Sequence, residues 1–514
     1  MISKRLKILK NDFKVLGIDG YIVPKNDEFF SEYSQKDRLK FISNFSGSAG
    51  YAVILKNKNY LFVDGRYTIQ AQIESRKNFK IIDYQKIIDC KLFKNLILGI
   101  DPKLFTSFQI NKFFGKINKI KVININLIDK IFKKKSISSK PFYSLSTNVV
   151  GESLKNKISK INNFLKKNKS DYMFVSAPEN VAWLLNIRGL DNPNSPIPNC
   201  HLFLDSKNNF YLVGKKEKFK RLLQEKKINS NQIIAPSYFE SFINQLNKKK
   251  IIIDNKTCSI FFEDILKRKF KILKFEDPTY LMKAIKNKIE IKNMIESHVI
   301  DGVALTKFLY WMKVNNKKEI TEFDAQKKLE RFRKMNKNYL YPSFNTIAGS
   351  GKNGAIIHYR ANKKNTKKIN KNDIFLCDSG GQYKYGTTDV TRTISFGKPS
   401  KYIKNIFTRV LKGHIAVVTT NLSKTNKGSA IDKKARKWLK EINLDYPHGT
   451  GHGVGFFLNV HEGPQSISKF NNVPLKKGMI VSNEPGYYKE NKFGIRIENL
   501  IFIKKTHNKL CFEN

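Results

Sequence analysis

Apolar residues recur along this chain with two periods, and the changes of period divide it. Leu6, Leu9, Phe13 and Leu16 fall three or four apart, the spacing of one helix face, whereas Gly20-Tyr21-Ile22-Val23 and Tyr51-Ala52-Val53-Ile54-Leu55 are short apolar runs of the kind that form buried strands. Residues 1–145 are therefore predicted to form an α/β domain. Residues 115–150 are rich in Ile, Lys, Asn and Ser, and Ser136 to Ser139 ahead of Pro141 mark a boundary. A second α/β segment is expected over 146–284; its most legible part is Glu179-Asn180-Val181-Ala182-Trp183-Leu184-Leu185-Asn186-Ile187-Arg188-Gly189. From Ile285, the positions Ile285, Ile289, Ile295, Val299, Val303, Phe308 and Met312 keep helical spacing, so a long helix is predicted to open a third domain, 285–514. Thr321-Glu322-Phe323-Asp324 fits a capping box for the next helix. Beyond residue 340 the chain turns to strands punctuated by glycine. No internal repeat of about 20 to 50 residues is legible.

A length of 514 residues exceeds one ordinary hydrophobic core, and 40% hydrophobic with 12% aromatic residues excludes wholesale disorder. The first residues, Met1-Ile2-Ser3-Lys4-Arg5-Leu6-Lys7, contain no continuous apolar stretch of a signal peptide, and no segment reaches membrane-spanning length. The cysteines, Cys90, Cys200, Cys258, Cys377 and Cys511, are odd in number and never spaced as a CxxC pair, which fits a reducing cytoplasm. The formal charge of +53 changes the picture less than its size suggests. Basic residues spread along the whole chain in runs no longer than three, at 133–135 and 248–250, without interleaved aromatics. A solvated lysine surface is expected, with no specific nucleic-acid or membrane partner. Against that background arginine stands out. Arg66, Arg188, Arg360, Arg392 and Arg496 sit in Gly-rich or acidic neighbourhoods, where a planar, always-charged fork has a use.

Candidate chemistry gathers in the last segment. Ile374-Phe375-Leu376-Cys377-Asp378 reads as a strand, Tyr385-Gly386 as a turn and Thr388 to Phe396 as a returning strand, which brings Asp378 and Asp389 to one place. Two readings stay open: strand-edge aspartates capped by Ser379, Thr387 and Thr388, or carboxylates whose burial a metal offsets. Pro447-His448-Gly449-Thr450-Gly451-His452-Gly453 sets two histidines among glycines, and His461-Glu462-Gly463-Pro464 follows. With His358, these are four of the eight histidines, and their clustering weakens the view of each as an ordinary core residue. Val481-Ser482-Asn483-Glu484-Pro485 and Phe493-Gly494-Ile495-Arg496-Ile497-Glu498 add two glutamates, and the strand period puts Arg496 and Glu498 on one face. Two Asp, two Glu and one His are the oxygen-rich set that a pair of divalent ions takes. HExxH, CxxC zinc patterns and GxSxG are absent from the sequence, and the glycine spacing around His448 and His452 does not match GxGxxG, nor does GKS or GKT follow.

At these residues the chain resembles the pita-bread metallopeptidases, which include methionine aminopeptidase, prolidase and aminopeptidase P. The resemblance implies Asp378, Asp389, His452, Glu484 and Glu498 as ligands of two divalent metal ions, with Asp389 and Glu498 engaging both. Mn(II) is favoured by the carboxylate content, with Zn or Co as alternatives. His358, His448 and His461 match the extra active-site histidines of the proline-directed members. Phe41-Ile42-Ser43-Asn44-Phe45-Ser46-Gly47-Ser48-Ala49-Gly50, with Asp64-Gly65-Arg66-Tyr67, is similar to the three-domain cytosolic aminopeptidase P type, and Trp183 to Gly189 adds to this. The fold implied is two creatinase-like N-terminal α/β domains followed by a pita-bread α+β catalytic domain. The activity implied is hydrolysis of the N-terminal Xaa-Pro bond of peptides with proline at position 2, by a hydroxide bridging two metals. Glu484 is then the general base, His461 polarises the carbonyl, His358 and His448 line the groove, and Arg496 and Arg66 brace the site or meet substrate. A homodimer is implied as well, formed partly by a C-terminal region that continues past the last strand in long members, whereas this chain ends at Asn514. The alternatives are a prolidase restricted to dipeptides and a non-catalytic pita-bread binding module.

Overall fold

The strand Gly20–Pro24 is buried along its whole length because it lies inside a six-stranded sheet, antiparallel to Tyr51–Leu55 on one side and parallel to Ile97–Ile100 on the other. The helix Ile2–Val15 covers the sheet with Leu6, Leu9 and Phe13, the positions its periodicity marks. A computed structural model provides these coordinates and describes residues 2–87, 92–132, 140–247, 249–315, 319–364, 366–506 and 509–513. The serine boundary at 136–139, the lysine run at 133–135, and Cys90 lie outside them.

The chain divides into two compact units, Met1–Ser146 with Glu152–Thr279, and Thr147–Gly151 with Tyr280–Asn514. The first unit holds two six-stranded sheets. In the second of these, Tyr172–Val175 pairs antiparallel with His201–Asp205 and parallel with Lys250–Ile253. Continued outward, both sheets have the same strand order and the same alternation of parallel and antiparallel neighbours. One topology is thus built twice without a repeat that the residues reveal.

The second unit opens with the 27-residue helix Lys288–Val314, capped by Asn287, whose side chain accepts from the backbone of Ile289 and Glu290. The helix is present as predicted, but its inward face differs. Ile295, Val299 and Val303 are 49%, 63% and 52% exposed, while Glu290, Ser297 and Asp301 turn inward with Met294, Leu305, Phe308 and Met312. Burial of Asp301 is tolerated because the buried Arg333 forks onto it from the helix Glu322–Lys334, at 2.6 and 3.0 Å. That second helix begins with the predicted capping box of Thr321 and Asp324. Behind these helices lie a three-stranded sheet of Ile347–Ser350, Ile374–Ser379 and Val390–Ser395, and a five-stranded sheet whose inner strands are Gly451–Gly453, Ile480–Asn483 and Asn499–Thr506. Among the described residues, no helix is long and apolar enough to cross a membrane.

His201 provides a test of the first unit. Its ring stacks on Phe29, lies edge-on to Phe262 and hydrogen-bonds through Nδ1 to the Ser176 carbonyl at 2.9 Å. Burial lowers its pKa to about 4, against the opposing effect of the Ser176 bond. The unfolded chain therefore binds a proton near pH 6.5 that the folded ring refuses, and stability is lost as pH falls from 6.5 to 4. Urea unfolding at pH 7 and pH 4 should show a loss about 3 kcal/mol larger in the wild type than in His201→Asn, which keeps a donor for Ser176 but does not titrate.

Candidate active site

Strand register brings the acidic residues together in pairs. Asp378, near the end of Ile374–Ser379, stands opposite Thr391 in Val390–Ser395, and Asp389 immediately precedes that second strand. In the five-stranded sheet Asn483 pairs with Asn499, so Glu484, just after one strand, and Glu498, just before the other, leave the ladder side by side. Gly451–Gly453 lies against the same central strand. A Cβ on Gly451 would sit 1.9 Å from the Ser482 carbonyl, so only glycine allows the approach that aims His452 inward. The strand Phe493–Arg496 ends before Glu498, which differs from the single strand expected there. Arg496 and Glu498 nevertheless face one side, because both meet the Thr391 hydroxyl: Arg496 Nε donates to it at 3.1 Å, and it donates to Glu498 Oε2 at 2.6 Å.

The result is a cluster in which one ligand atom each of Asp389, His452 and Glu498 lies within 4.8 Å of the others. His452 Nε2 is 3.4 Å from both Asp389 Oδ2 and Glu484 Oε1. Its Nδ1 donates to the Gly453 carbonyl at 2.9 Å, which fixes the ring orientation and turns Nε2 to the carboxylates. Asp378 Oδ2 accepts from Arg496 at 2.5 Å, while its buried Oδ1 has no hydrogen-bond partner among the described residues. Burial raises the Asp389 pKa to about 6, with Asp378 and Glu484 adding to the shift and His452 opposing it. Burial, reinforced by Asp389, Glu484 and Asp378, holds Glu498 well above the usual carboxylate range. Burial lowers His452, but Asp389 and Glu484 outweigh it and push the ring up to about 9.

The other three histidines differ in what they touch. The His461 ring lies 4.4 Å from that of His452 at 81°. His448 donates through Nδ1 to the Gly449 carbonyl, and its Nε2 accepts from Tyr488, whose oxygen in turn accepts from Arg496 at 2.6 Å. A chain of contacts therefore runs from Asp378 through Arg496 and Tyr488 to His448. His358 is half-buried after the turn Gly351–Ala355. Arg66 lies in the first unit, where its guanidinium forks onto Asp64 and packs against Tyr67.

Several supporting residues escaped the sequence reading. Asp301 accepts from Thr388 at 2.9 Å, and Arg333 donates to Ser379 at 3.0 Å; each contact is next to one aspartate of the site. Glu322, fully buried in the first turn of its helix, accepts from Ser350, Asn353, Tyr359 and Lys367, which ties down the segment around His358. Asp432 and Arg436 of the helix Gly428–Lys440 hold Thr450 and the carbonyls of Tyr446 and His448. An isolated arginine among lysines was the available signal, but Arg333 and Arg436 sit in lysine-rich helices where it is diluted.

Known proteins match this chain along its length. The profile of metallopeptidase family M24 covers residues 292–505, and creatinase/prolidase N-terminal domain profiles cover 5–130 and 133–290. Xaa-Pro aminopeptidase 1 of Dictyostelium discoideum is 38% identical over 98% of this chain and 85% of its own. The crystal structure of an X-prolyl aminopeptidase from Caenorhabditis elegans, described as a cytosolic enzyme with a di-nuclear active site, superposes with a TM-score of 0.91 at 28% identity, covering 100% of this chain and 90% of that one. A prolidase from Pyrococcus furiosus reaches a TM-score of 0.55 at 26% identity over 68% of this chain and 98% of its own. With two creatinase/prolidase-type domains ahead of its metallopeptidase domain, the chain belongs to the Xaa-Pro aminopeptidase P group of metallopeptidase family M24.

Proposed function

We propose that this chain is a metal-dependent aminopeptidase that hydrolyses the N-terminal Xaa-Pro bond of peptides. The observation that carries this reading is the packing of Asp389, His452 and Glu498 within 4.8 Å, in a chain whose full-length relatives are named Xaa-Pro aminopeptidases. Charge balance supports a metal. Asp378, Asp389, Glu484 and Glu498 meet one histidine and Arg496, and burying like charges without cations is costly. The Asp378 oxygen that lacks a partner among the described residues and the orientation of the His452 ring both suit a ligand role. Asp378, Asp389, His452, Glu484 and Glu498 are the residues that would hold two divalent ions, Mn(II) by carboxylate preference, with Zn or Co as alternatives. When bound, such ions supply Lewis acidity and lower the pKa of water.

The remaining steps belong to the protein's own groups. Glu484, braced by the Ser482 hydroxyl at 3.0 Å, accepts the proton of the attacking water. His461 donates to the scissile carbonyl oxygen as charge develops there. His358 and His448 line the peptide groove, with His448 oriented by Tyr488. Arg496 holds Asp378 in place. A bond to proline nitrogen has no N–H, so selection at position 2 rests on the shape of an apolar slot.

The three domains 1–145, 146–284 and 285–514, a cytoplasmic location and a homodimer belong to the same reading. The cytosolic description of the Caenorhabditis elegans enzyme and the free thiols of Cys200, Cys258, Cys377 and Cys511 support the location. The names of the relatives that match over nearly the whole chain, Xaa-Pro aminopeptidases, favour substrates longer than dipeptides.

Purified protein with Mn(II) is expected to release arginine from Arg-Pro-Pro, and chelator should abolish the activity. Glu484→Gln should lower kcat by about 10²- to 10⁴-fold, the range of a lost general base, as followed by amino-acid release. Cleavage confined to Gly-Pro would mean prolidase, and metal binding without any cleavage would mean a binding module. The charge balance makes a separate prediction. Glu498→Gln removes a buried carboxyl whose ionisation the cluster opposes, so calorimetric melting of the metal-free variant at neutral pH should show a gain of about 1–3 kcal/mol, while the stabilisation by added Mn(II) expected of the wild type should be lost.

A further inference from the structure

Three charged side chains with no part in the proposed reaction are buried together, and one of them, Glu462, follows His461 in the chain. The Glu462 carboxylate accepts from Lys286 Nζ and from Lys283 Nζ, the latter at 3.1 Å, and Lys286 Nζ also donates to the Lys283 carbonyl at 2.7 Å. All three side chains are 2% exposed or less. Lysine here is overwhelmingly a surface residue, and two buried ammonium groups on one carboxylate leave an excess positive charge inside, which sequences avoid unless it does something.

The backbone on both sides of the cluster is pinned. Lys286 N donates to the Gly478 carbonyl at 2.9 Å, and Ile285 bridges Met479, the residue before the strand that leads to Glu484. Gly478 has a φ of +88°, and a Cβ there would lie 2.7 Å from the Lys286 carbonyl. On the other side, Glu462 pairs with Gly453, one residue after each of the two edge-to-face histidines. That pairing sits beyond a register break: His452 faces Ser466, and the next residue, Gly453, faces Glu462. Residues 463–465 are thus taken up in a bulge, so the ladder by itself does not set where the Glu462 end of the strand lies.

We propose that Lys283 and Lys286, acting through Glu462, are positioning residues that hold His461 against His452 in the geometry required at the scissile carbonyl. The proposal rests on the reading of His461 as the group that polarises that carbonyl. Lys286→Met keeps a linear apolar stem and leaves Lys283 and Glu462 as a one-to-one pair. In Lys286→Met with Mn(II) and Arg-Pro-Pro, kcat should fall about 10- to 100-fold, the scale of a misplaced catalytic group, while KM and the calorimetric affinity for Mn(II) each change less than about threefold. Placed in a His461→Ala background, Lys286→Met should cause no further loss.

Wild-type kcat in folded Lys286→Met overturns the proposal. So does a loss that is equally large in the His461→Ala background, or one that follows weakened metal binding. If Lys286→Met does not fold, Lys283→Met, which removes the longer of the two contacts, is measured in the same way and judged by the same outcomes. His461→Ala with unchanged kcat would refute the role of His461 itself and the proposal with it. An impaired His461→Ala beside an unimpaired Lys286→Met would refute only the coupling.

Discussion

Repulsion among Asp378, Asp389, Glu484 and Glu498 is the constraint around which the catalytic unit is organised, because these carboxylates share a buried space with a single histidine. Strand pairing forces them together. The ladders Asp378 to Thr391 and Asn483 to Asn499 are each supported by many backbone hydrogen bonds and apolar contacts, so the sheet as a whole can hold an arrangement that no local segment would choose. Burial first, and the neighbouring carboxylates after it, raise the pKa values of Asp389 and Glu498. Arg496 offsets part of the repulsion at Asp378, and a pair of divalent cations would offset the rest.

The surrounding helices answer the same constraint in a repeated way. Ladders set register within a sheet but leave the loop ends free, and the residues proposed for chemistry lie at those ends. Asp301 with Arg333 reaches the neighbours of both aspartates, Asp432 with Arg436 holds the loop of His448 and Thr450, and Glu322 ties the segment beside His358. Each is a buried, directional, charge-assisted contact, stronger in the interior than the same pair in water. The contact with Arg333 explains why the inner face of Lys288–Val314 carries Asp301.

Charge is also divided by residue type. Arg38, Arg188, Arg333, Arg436 and Arg496 lead the largest fully buried side chains, whereas most lysines of this strongly basic chain lie on the surface. A guanidinium keeps its charge when buried and can meet a carboxylate and a carbonyl at once, as Arg436 does with Asp432 and Tyr446. The basic surface therefore reports little about function, and the buried arginines report a good deal about construction.

Much of the fold was legible in the residues themselves. The helix face of Leu6, Leu9 and Phe13, the run Tyr51–Leu55 and the capping box at Thr321 are governed by interactions within a few residues, so their pattern survives in the linear chain. The gathering of Asp, Glu and His in Gly-rich segments was legible for the same reason, since a close backbone approach needs glycine in the same short stretch as the side chain it aims. The repeated sheet topology was not, because many different apolar residues satisfy one strand pattern. Nor could local pattern reveal which face of Lys288–Val314 turns inward, or that Asp301, Glu322 and Lys286 have buried charged work. Their partners lie far along the chain, 176 residues away for Lys286 and Glu462, and a polar residue is stable inside only when such a partner arrives. Short-range periodicity decided the elements and assembled the reactive residue types; long-range pairing of charges and strands decided which of them meet.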